Sequence, residues 1–108
     1  MQHRPLRVQK LIREELSKIV LRELEFFGAL ATITEVVVDK KLGTAKVKVS
    51  ILPAEAAEEV LKTLEKNTGK LQYLLMKKIN LKPMPKISFE IDRGPENAAR
   101  IEKMLLGK

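Results

Sequence analysis

Lysine is the only charged residue type in one segment of this chain, residues 66–86. Acidic residues are plentiful just upstream, so overall composition does not explain this segregation. A backbone break, Asn67-Thr68-Gly69, interrupts a helical pattern in the same segment. A helix beginning after the break would direct unpaired N–H groups and its positive dipole end outward, which suits a phosphate. A short lysine run alone indicates a solvated surface, but the coincidence of break and charge predicts binding to nucleic acid. The segment's lysines are Lys66, Lys70, Lys77, Lys78, Lys82 and Lys86.

The tyrosine of this segment and two basic residues of the first helix have two interpretations each. Tyr73, the only tyrosine, could stack on a base. The sequence favours the alternative, in which its ring rests on neighbouring side-chain stems and its hydroxyl stays in water. Arg7 and Lys10 fall on the polar side of a predicted first helix. The sequence does not distinguish direct contact with an anion from ordinary solvation for these two residues.

The chain has few of the residue types that enzymes use as nucleophiles or general bases. His3 is the only histidine and cysteine is absent, so neither a Ser-His nor a Cys-His arrangement can be assembled. Four carboxylates, Glu35, Asp39, Glu90 and Asp92, could in principle hold Mg²⁺. Each is better explained as solvation of a strand or a turn. We therefore predict a protein that is not an enzyme, with no cofactor, no metal and no small-molecule substrate.

Length and charge restrict the class of protein. The 108 residues suffice for one domain, predicted to span the whole of 1–108, and the net charge of +7 suits a polyanionic partner. No apolar run approaches the roughly 18 residues of a membrane span, and the first residues lack the apolar core of a signal peptide. The expectation is a soluble, cytoplasmic, monomeric protein without a membrane partner.

Hydrophobic periodicity predicts the elements in the first half of the chain. A first helix follows Pro5 and ends at Gly28. Two strands over residues 31–38 and 45–51 form an antiparallel hairpin. On the wet face of the second strand, lysines are predicted to block edge pairing rather than to bind phosphate; they are Lys46 and Lys48. The first helix's apolar stripe is Val8, Leu11, Ile12, Leu16, Ile19 and Val20.

The second half completes an α+β order. A helix with an acidic first turn begins near Pro53, and another follows Gly69, which is placed where the chain turns with a left-handed backbone. Pro83 and Pro85 end that helix, and residues 86–92 form a third strand before a closing helix. The predicted order is helix, strand, strand, helix, break, helix, strand, helix. Its helices pack on one face of a three-stranded sheet.

This order, with a break between two helices, resembles the KH-like (type II) RNA-binding folds of bacteria. The Gly-x-x-Gly loop of ordinary KH domains is replaced here by Asn67-Thr68-Gly69. That departure is similar to the ribosome-binding factor A family, in which an Ala-x-Gly kink joins the helices. Other matching pieces run in order along the chain. They are Arg4-Pro-x-Arg-Val, Ile33-Thr34-x-Val36, Leu42-x-x-Ala45-x-Val47-x-Val49-Ser50, Gly69-x-Leu71 and Leu81-Lys82-x-x-Pro85-x-Ile87-x-Phe89-x-x-Asp92.

The resemblance implies a non-enzymatic factor that binds the small (30S) ribosomal subunit and its 16S rRNA during late maturation. It also implies a role in 5′-end processing of the 16S precursor, and we expect loss of the protein to matter most in the cold. The alternative is a KH-like basic module that docks to an acidic protein or another RNA. The RNA-facing residues implied by position are Arg4, Arg7, Lys70 and Lys82.

Three positions depart from the family pattern. Asn67 stands where alanine is usual, Gln72 where arginine is common, and Lys41 where the hairpin usually has aspartate. The first departure bears on the geometry of the kink. The second suggests that one phosphate contact is missing.

Overall fold

The computed structural model of the chain describes residues 3–41 and 43–94, with side chains from Leu6 onward. The predicted order of helices and strands is confirmed across these residues, whereas the predicted closing helix lies outside them. In chain order the elements are helix α1 (His3–Glu23), strand β1 (Leu30–Asp39), strand β2 (Thr44–Leu52), a 3-10 turn (Ala54–Ala56), helix α2 (Ala57–Lys66), helix α3 (Thr68–Lys78) and strand β3 (Lys86–Ile91).

The sheet has the strand order β1-β2-β3, which makes β2 its central strand. β1 and β2 run antiparallel, with Val36 opposite Val47. β2 and β3 run parallel, with Val47 also opposite Phe89. A parallel pair needs a long crossover connection, and α2 with α3 supplies it. The predicted α+β architecture, with a hairpin followed by a helical crossover, is therefore confirmed.

One hydrophobic core lies between the helices and one face of the sheet. Every second side chain of β2 is buried, from Ala45 to Ile51, as the alternation in the sequence predicts. No polar or charged side chain is buried within the described part of the chain, so the described binding groups all belong to the surface. The buried helical side chains are Ile12, Leu16, Ile19, Val20, Ala57, Val60, Leu64, Leu71 and Leu75.

Helix α1 differs from its predicted bounds at both ends. It begins at His3, before Pro5, and ends at Glu23, well before Gly28. A tight turn follows, in which the Ala29 N–H donates to the Phe26 carbonyl at 3.1 Å. Phe27 and Gly28 both have positive φ there, 50° and 95°, and so reverse the chain toward β1.

Leu11 was predicted to belong to the core stripe of α1, and this prediction was wrong. Its side chain is 39% exposed, whereas its neighbour Ile12 is fully buried. Consecutive helical residues point about 100° apart. The face of α1 that contacts the sheet and α3 is therefore narrower than the apolar stripe in the sequence.

Helix α3 ends before the prolines that were predicted to stop it. Its last residue is Lys78, and Ile79 then adopts an extended backbone with φ −117° and ψ 136°. Ile79 is buried, so its side chain joins the core as the chain leaves the helix. Pro83 and Pro85 lie further along, in the loop that leads to β3.

Candidate nucleic-acid interface

The kink between α2 and α3 is centred on Asn67, which has φ −102° and ψ 11°. Its side-chain Nδ2 donates to the Thr63 carbonyl at 2.8 Å, and its backbone N–H reaches the Thr63 and Leu64 carbonyls at 3.2 Å. The Thr68 hydroxyl donates to the Leu64 carbonyl at 3.0 Å. These bonds satisfy carbonyls that the end of a helix leaves unpaired. Asn67 and Thr68 therefore stabilise the break through their side chains.

Gly69 does not make the break, contrary to the sequence prediction. It lies inside α3, and it is absent from the described residues with positive φ. An added Cβ would find no atom within 4 Å. The chain therefore has both the backbone conformation and the space for a side chain at this position.

Replacing Gly69 with alanine is accordingly expected to stabilise the protein. Glycine in a helix is less favourable than alanine by about 0.8–1 kcal/mol, so the gain in unfolding free energy should approach that value. Urea denaturation measures it. Gly28→Ala is the matched control and should destabilise the protein, because Gly28 has φ +95°. A loss of stability in Gly69→Ala equal to that in Gly28→Ala would contradict the helical assignment.

The outer face of α3 carries the predicted basic surface. Lys70, Tyr73, Lys77 and Asn80 are all exposed, while Leu71 and Leu75 on the other side are fully buried. We call Lys70, Tyr73 and Lys77, together with Asn67 and Thr68, the kink surface. The Lys77 Nζ lies 5.3 Å from the centre of the Tyr73 ring, which is within the range of a cation–π contact. It is the ammonium group of the lysine that lies over the ring, whereas the sequence favoured a contact with side-chain stems.

Lys70 makes a contact that the sequence did not indicate. Its Nζ lies 3.3 Å from Glu23 Oε1, so the start of α3 is joined to the end of α1. The other oxygen, Glu23 Oε2, accepts a hydrogen bond from Arg22 Nε at 2.9 Å. The pKa of Glu23 is lowered, first by its hydrogen bond from Arg22 and then by that from Lys70. The carboxylate is therefore ionised at neutral pH.

The remaining basic candidates lie beside the kink, at the end of α3, and beyond it. Lys66 ends α2 and Lys78 ends α3, and both are exposed. Lys82 lines a cavity of about 510 Å³ whose wall also includes Val8 of α1. This cavity brings the loop after α3 close to the start of α1. The other exposed members of the set are Arg7, Lys10 and Lys86.

The basic candidates on α1, on α3 and in the loop after α3 form a band rather than a single patch. Lys86 lies outside this band: its neighbour Ile87 faces the core, so Lys86 faces the open side of the sheet. α1 and α3 lie antiparallel, because Glu23 meets Lys70 at one end and Val8 lines the same cavity as Lys82 at the other. The eleven residues of α3 span about 16 Å. Arg4 lies within α1, but its side chain is outside the described part. The band is long enough to meet several consecutive phosphates of one RNA strand.

Comparison with known proteins identifies the family of this chain. A family model described as ribosome-binding factor A matches residues 4–105. The chain belongs to this family. It is 40% identical to ribosome-binding factor A of Opitutus terrae, over 97% of this chain and 87% of that protein. It is 41% identical to that of Chlorobaculum parvum, over 92% of this chain and 85% of that protein.

Solved structures of the family share the fold. The crystal structure of ribosome-binding factor A from Thermus thermophilus superimposes with a TM-score of 0.70 at 20% identity, covering 83% of this chain and 98% of that one. A homology model of the T. thermophilus protein, fitted into a cryo-EM map of a 30S complex, gives a TM-score of 0.65 at 20% identity. It covers 78% of this chain and 90% of that one. The family predicted from the order of the motifs is confirmed.

Gln72, the position where family members often have arginine, acts inside the protein. Its Nε2 donates to the Pro85 carbonyl at 2.9 Å, and its Oε1 accepts from the Ile87 N–H at 3.0 Å. The side chain is half-buried and faces β3 rather than the exposed side of α3. In this chain the position joins α3 to the entry of β3. We did not expect this role, because its partners lie beyond the loop that follows α3.

Two lysines of β2 also have different roles from those predicted. Lys46 and Lys48 do not block an edge, because β2 is the central strand. Lys46 Nζ lies 3.4 Å from Glu90 of β3, and Lys48 Nζ lies 3.7 Å from Glu35 of β1. These cross-strand ion pairs cover the open face of the sheet.

Two of the matching sequence pieces meet in space. Thr34 lies at an irregularity in the pairing of β1, between Ile33 and Glu35. Its hydroxyl donates to Asp92 Oδ2 at 2.7 Å, and Asp92 Oδ1 accepts from the Gly94 N–H at 2.9 Å. These two bonds, the Thr34 bond first, lower the pKa of Asp92. The bulge on β1 is thus fixed to the end of β3.

Thr34→Val is expected to raise the pKa of Asp92 toward its ordinary value of about 3.9, because the valine side chain cannot donate a hydrogen bond. A lowered pKa in the folded state stabilises the protein above the unfolded pKa, and this contribution is lost as pH falls through the folded pKa. The variant should therefore lose less of its stability than the wild type as the solution is acidified. NMR titration of the Asp92 carboxyl measures the shift.

Thr32→Val is the matched control for this experiment. Thr32 is an exposed threonine on the same strand, and its substitution should leave the pKa of Asp92 unchanged. An Asp92 pKa that stays low in Thr34→Val would show that the Gly94 N–H and the charge of Lys48, and not the Thr34 hydroxyl, hold it there.

Two kinds of feature were also sought among the carboxylates and helices of the described residues, a cluster of metal ligands and a helix that could span a membrane. No group of three or more acidic or histidine side chains that could hold a metal ion occurs among them. Glu35 and Glu90, which were considered as ligands, pair with lysines instead. In the same part of the chain, no helix has the length and apolar character needed to span a bilayer.

Proposed function

We propose that this protein binds the small ribosomal subunit as a non-enzymatic assembly factor, with its basic band against 16S rRNA. The observation that carries the proposal is the kink surface, where an interhelical break and exposed lysines coincide in a member of the ribosome-binding factor A family. The T. thermophilus relative has been fitted into the map of its 30S complex. That assignment for a protein of the same fold supports the same partner here.

Phosphate neutralisation supplies the affinity in this proposal. Lysine and arginine side chains that displace condensed counterions make binding strong but dependent on salt. The proposed contacts are basic residues of α1, Lys66 at the end of α2, the exposed residues of α3, and Lys82 in the loop after α3. They are Arg4, Arg7, Lys10, Lys66, Lys70, Tyr73, Lys77, Lys78 and Lys82. Lys86 was predicted as a further contact but faces the open side of the sheet, away from these residues. If about four to six phosphates are contacted, log affinity falls with log salt at a slope of roughly −3 to −5.

The proposed role is late maturation of the subunit by a cytoplasmic monomer. Misfolded RNA helices are harder to escape at low temperature, so a binder that favours the mature fold matters most there. A strain without the protein should accumulate free subunits, retain 16S precursor with an unprocessed 5′ end, and grow worst in the cold. Normal 16S processing and a normal subunit profile at low temperature would contradict this role.

Sedimentation of a lysate with tagged protein tests the partner directly. We expect the protein with free small subunits and not with 70S ribosomes or large subunits. Unrelated RNA added in excess serves as the competitor. An RNA that displaces the protein as readily as purified small subunits do would show that the surface binds polyanions without choosing the subunit.

A further inference from the structure

Among the residues that the structure describes, one lysine of the segment 66–86 forms an ion pair, and its partner is a single carboxylate. Glu23 Oε1 lies 3.3 Å from Lys70 Nζ, and the fold alone brings this residue of α1 to the kink. The segregation of charge that is complete in the sequence is therefore interrupted once in space. We propose that Glu23 is a specificity-determining residue, which competes with phosphate for Lys70 and penalises unrelated RNA.

The geometry allows this competition. The Lys70 side chain is 54% exposed, so a phosphate can approach its ammonium group from solvent. The Glu23 side chain is 24% exposed and is also held by Arg22, so it stays in place when an anion arrives. Because its pKa is lowered, the carboxylate carries its full charge at neutral pH.

The consequence is that an RNA needs additional phosphate contacts before it binds at the kink. A phosphate at Lys70 gains one cation but approaches a fixed negative charge, and like charges at this distance repel. An RNA that places phosphates elsewhere along the band as well recovers this cost, whereas an unrelated strand that relies on a few contacts does not. Specificity built from a repulsive element of this kind is negative selection against wrong partners.

The inference rests on the proposed function, and its test is a charge-neutralising pair of variants. Glu23→Gln removes the charge and keeps an oxygen that can accept from Arg22. Glu25→Gln is the matched control, because Glu25 is exposed, lies two residues away, forms no ion pair among the described residues, and changes the net charge equally. The probe is a single-stranded oligouridylate, and purified small subunits are the specific partner.

We expect Glu23→Gln to bind the oligouridylate about three- to tenfold more tightly than Glu25→Gln at low ionic strength, with the gain fading as salt is added. The affinity for small subunits should rise less, so the ratio between the two affinities should fall. Equal affinities of the two variants for the oligouridylate would overturn the proposal. A gain for small subunits as large as that for the oligouridylate would also overturn it.

A double-mutant cycle tests whether the gain in affinity of Glu23→Gln depends on Lys70. In a Lys70→Gln background, Glu23→Gln should have no more effect than Glu25→Gln, because the contested cation is gone. An undiminished gain in that background would refute competition at Lys70. If Lys70→Gln itself binds small subunits as well as the wild type does, the kink surface is not the interface and the proposed function fails at this site. Melting temperatures confirm that each variant is folded, since exposed ion pairs contribute little to stability.

Discussion

Reversing the charges of Lys70 and Lys77 together is expected to weaken binding to small subunits by at least about 100-fold at physiological salt. Each substitution removes one phosphate contact and adds a repulsive charge. The salt dependence should change as well, with the slope of log affinity against log salt becoming shallower by about 2. Co-sedimentation with purified subunits over a series of salt concentrations measures both effects.

The structure refines the choice of variants. A glutamate at position 70 would stand near the Glu23 carboxylate, which now pairs with the Lys70 ammonium group at 3.3 Å, so Lys70→Glu adds repulsion within the protein as well as toward RNA. The neutral pair Lys70→Gln with Lys77→Gln avoids this and should lose about tenfold or more in affinity. It is compared with Lys41→Gln plus Lys46→Gln, which changes the net charge equally in the β1–β2 hairpin and leaves Lys40, a neighbour of Lys82 in the same cavity, unchanged.

The result that would refute the assignment is also clear. If the folded Lys70 and Lys77 double variant co-sediments like the wild type, the kink surface does not face the RNA. The interface would then move to the N-terminal arginines, Arg4 and Arg7. If the hairpin control weakens binding equally, net charge and not position decides the affinity.

Gln72→Ala is expected to lower the free energy of unfolding by about 1–3 kcal/mol. The substitution leaves the Ile87 N–H and the Pro85 carbonyl without partners, and both residues are buried. An unpaired polar group in the interior costs more than the bond itself contributed. Urea denaturation measures the loss, and Lys77→Ala, an exposed site on the same helix, is the control.

Two further substitutions distinguish the two halves of the Gln72 contact. Gln72→Arg retains a donor for the Pro85 carbonyl but has no acceptor for the Ile87 N–H. Gln72→Glu retains the acceptor but sets a carboxylate against the carbonyl. Both should be less stable than the wild type. Gln72→Ala unfolding at the same urea concentration as Lys77→Ala would show that these bonds contribute nothing net.

The parts of the fold that depend on repeated patterns could be predicted from the sequence. The alternation from Ala45 to Ile51 specifies a strand with one buried face, and the spacing of Leu71 and Leu75 specifies the buried side of α3. Such patterns depend on many residues, so one deviation does not change the outcome. For the same reason the exposed side of α3, with Lys70, Tyr73 and Lys77, could be predicted from the sequence.

Features set by one or two individual contacts could not be predicted in this way. Gly69 suggested the break because glycine permits unusual backbone, yet the side chains of Asn67 and Thr68 stabilise it. Pro83 suggested the end of α3, yet the helix ends at Lys78 and the chain leaves it with Ile79 extended and buried. The Glu23 contact to Lys70 joins residues that are far apart in the sequence, and no local signal marks them as a pair.

The central position of β2 has a consequence for how the chain assembles. β1 and β2 are joined by a short hairpin, whereas β3 can pair with β2 only after the whole helical crossover has been made and has folded back. Local pairings form before pairings that close long loops. For that interval β2 is an edge strand, open to association with another chain, and charged side chains discourage such association. During this interval Lys48 can already pair with Glu35 inside the hairpin, whereas Lys46 gains Glu90 as its partner only when β3 completes the sheet.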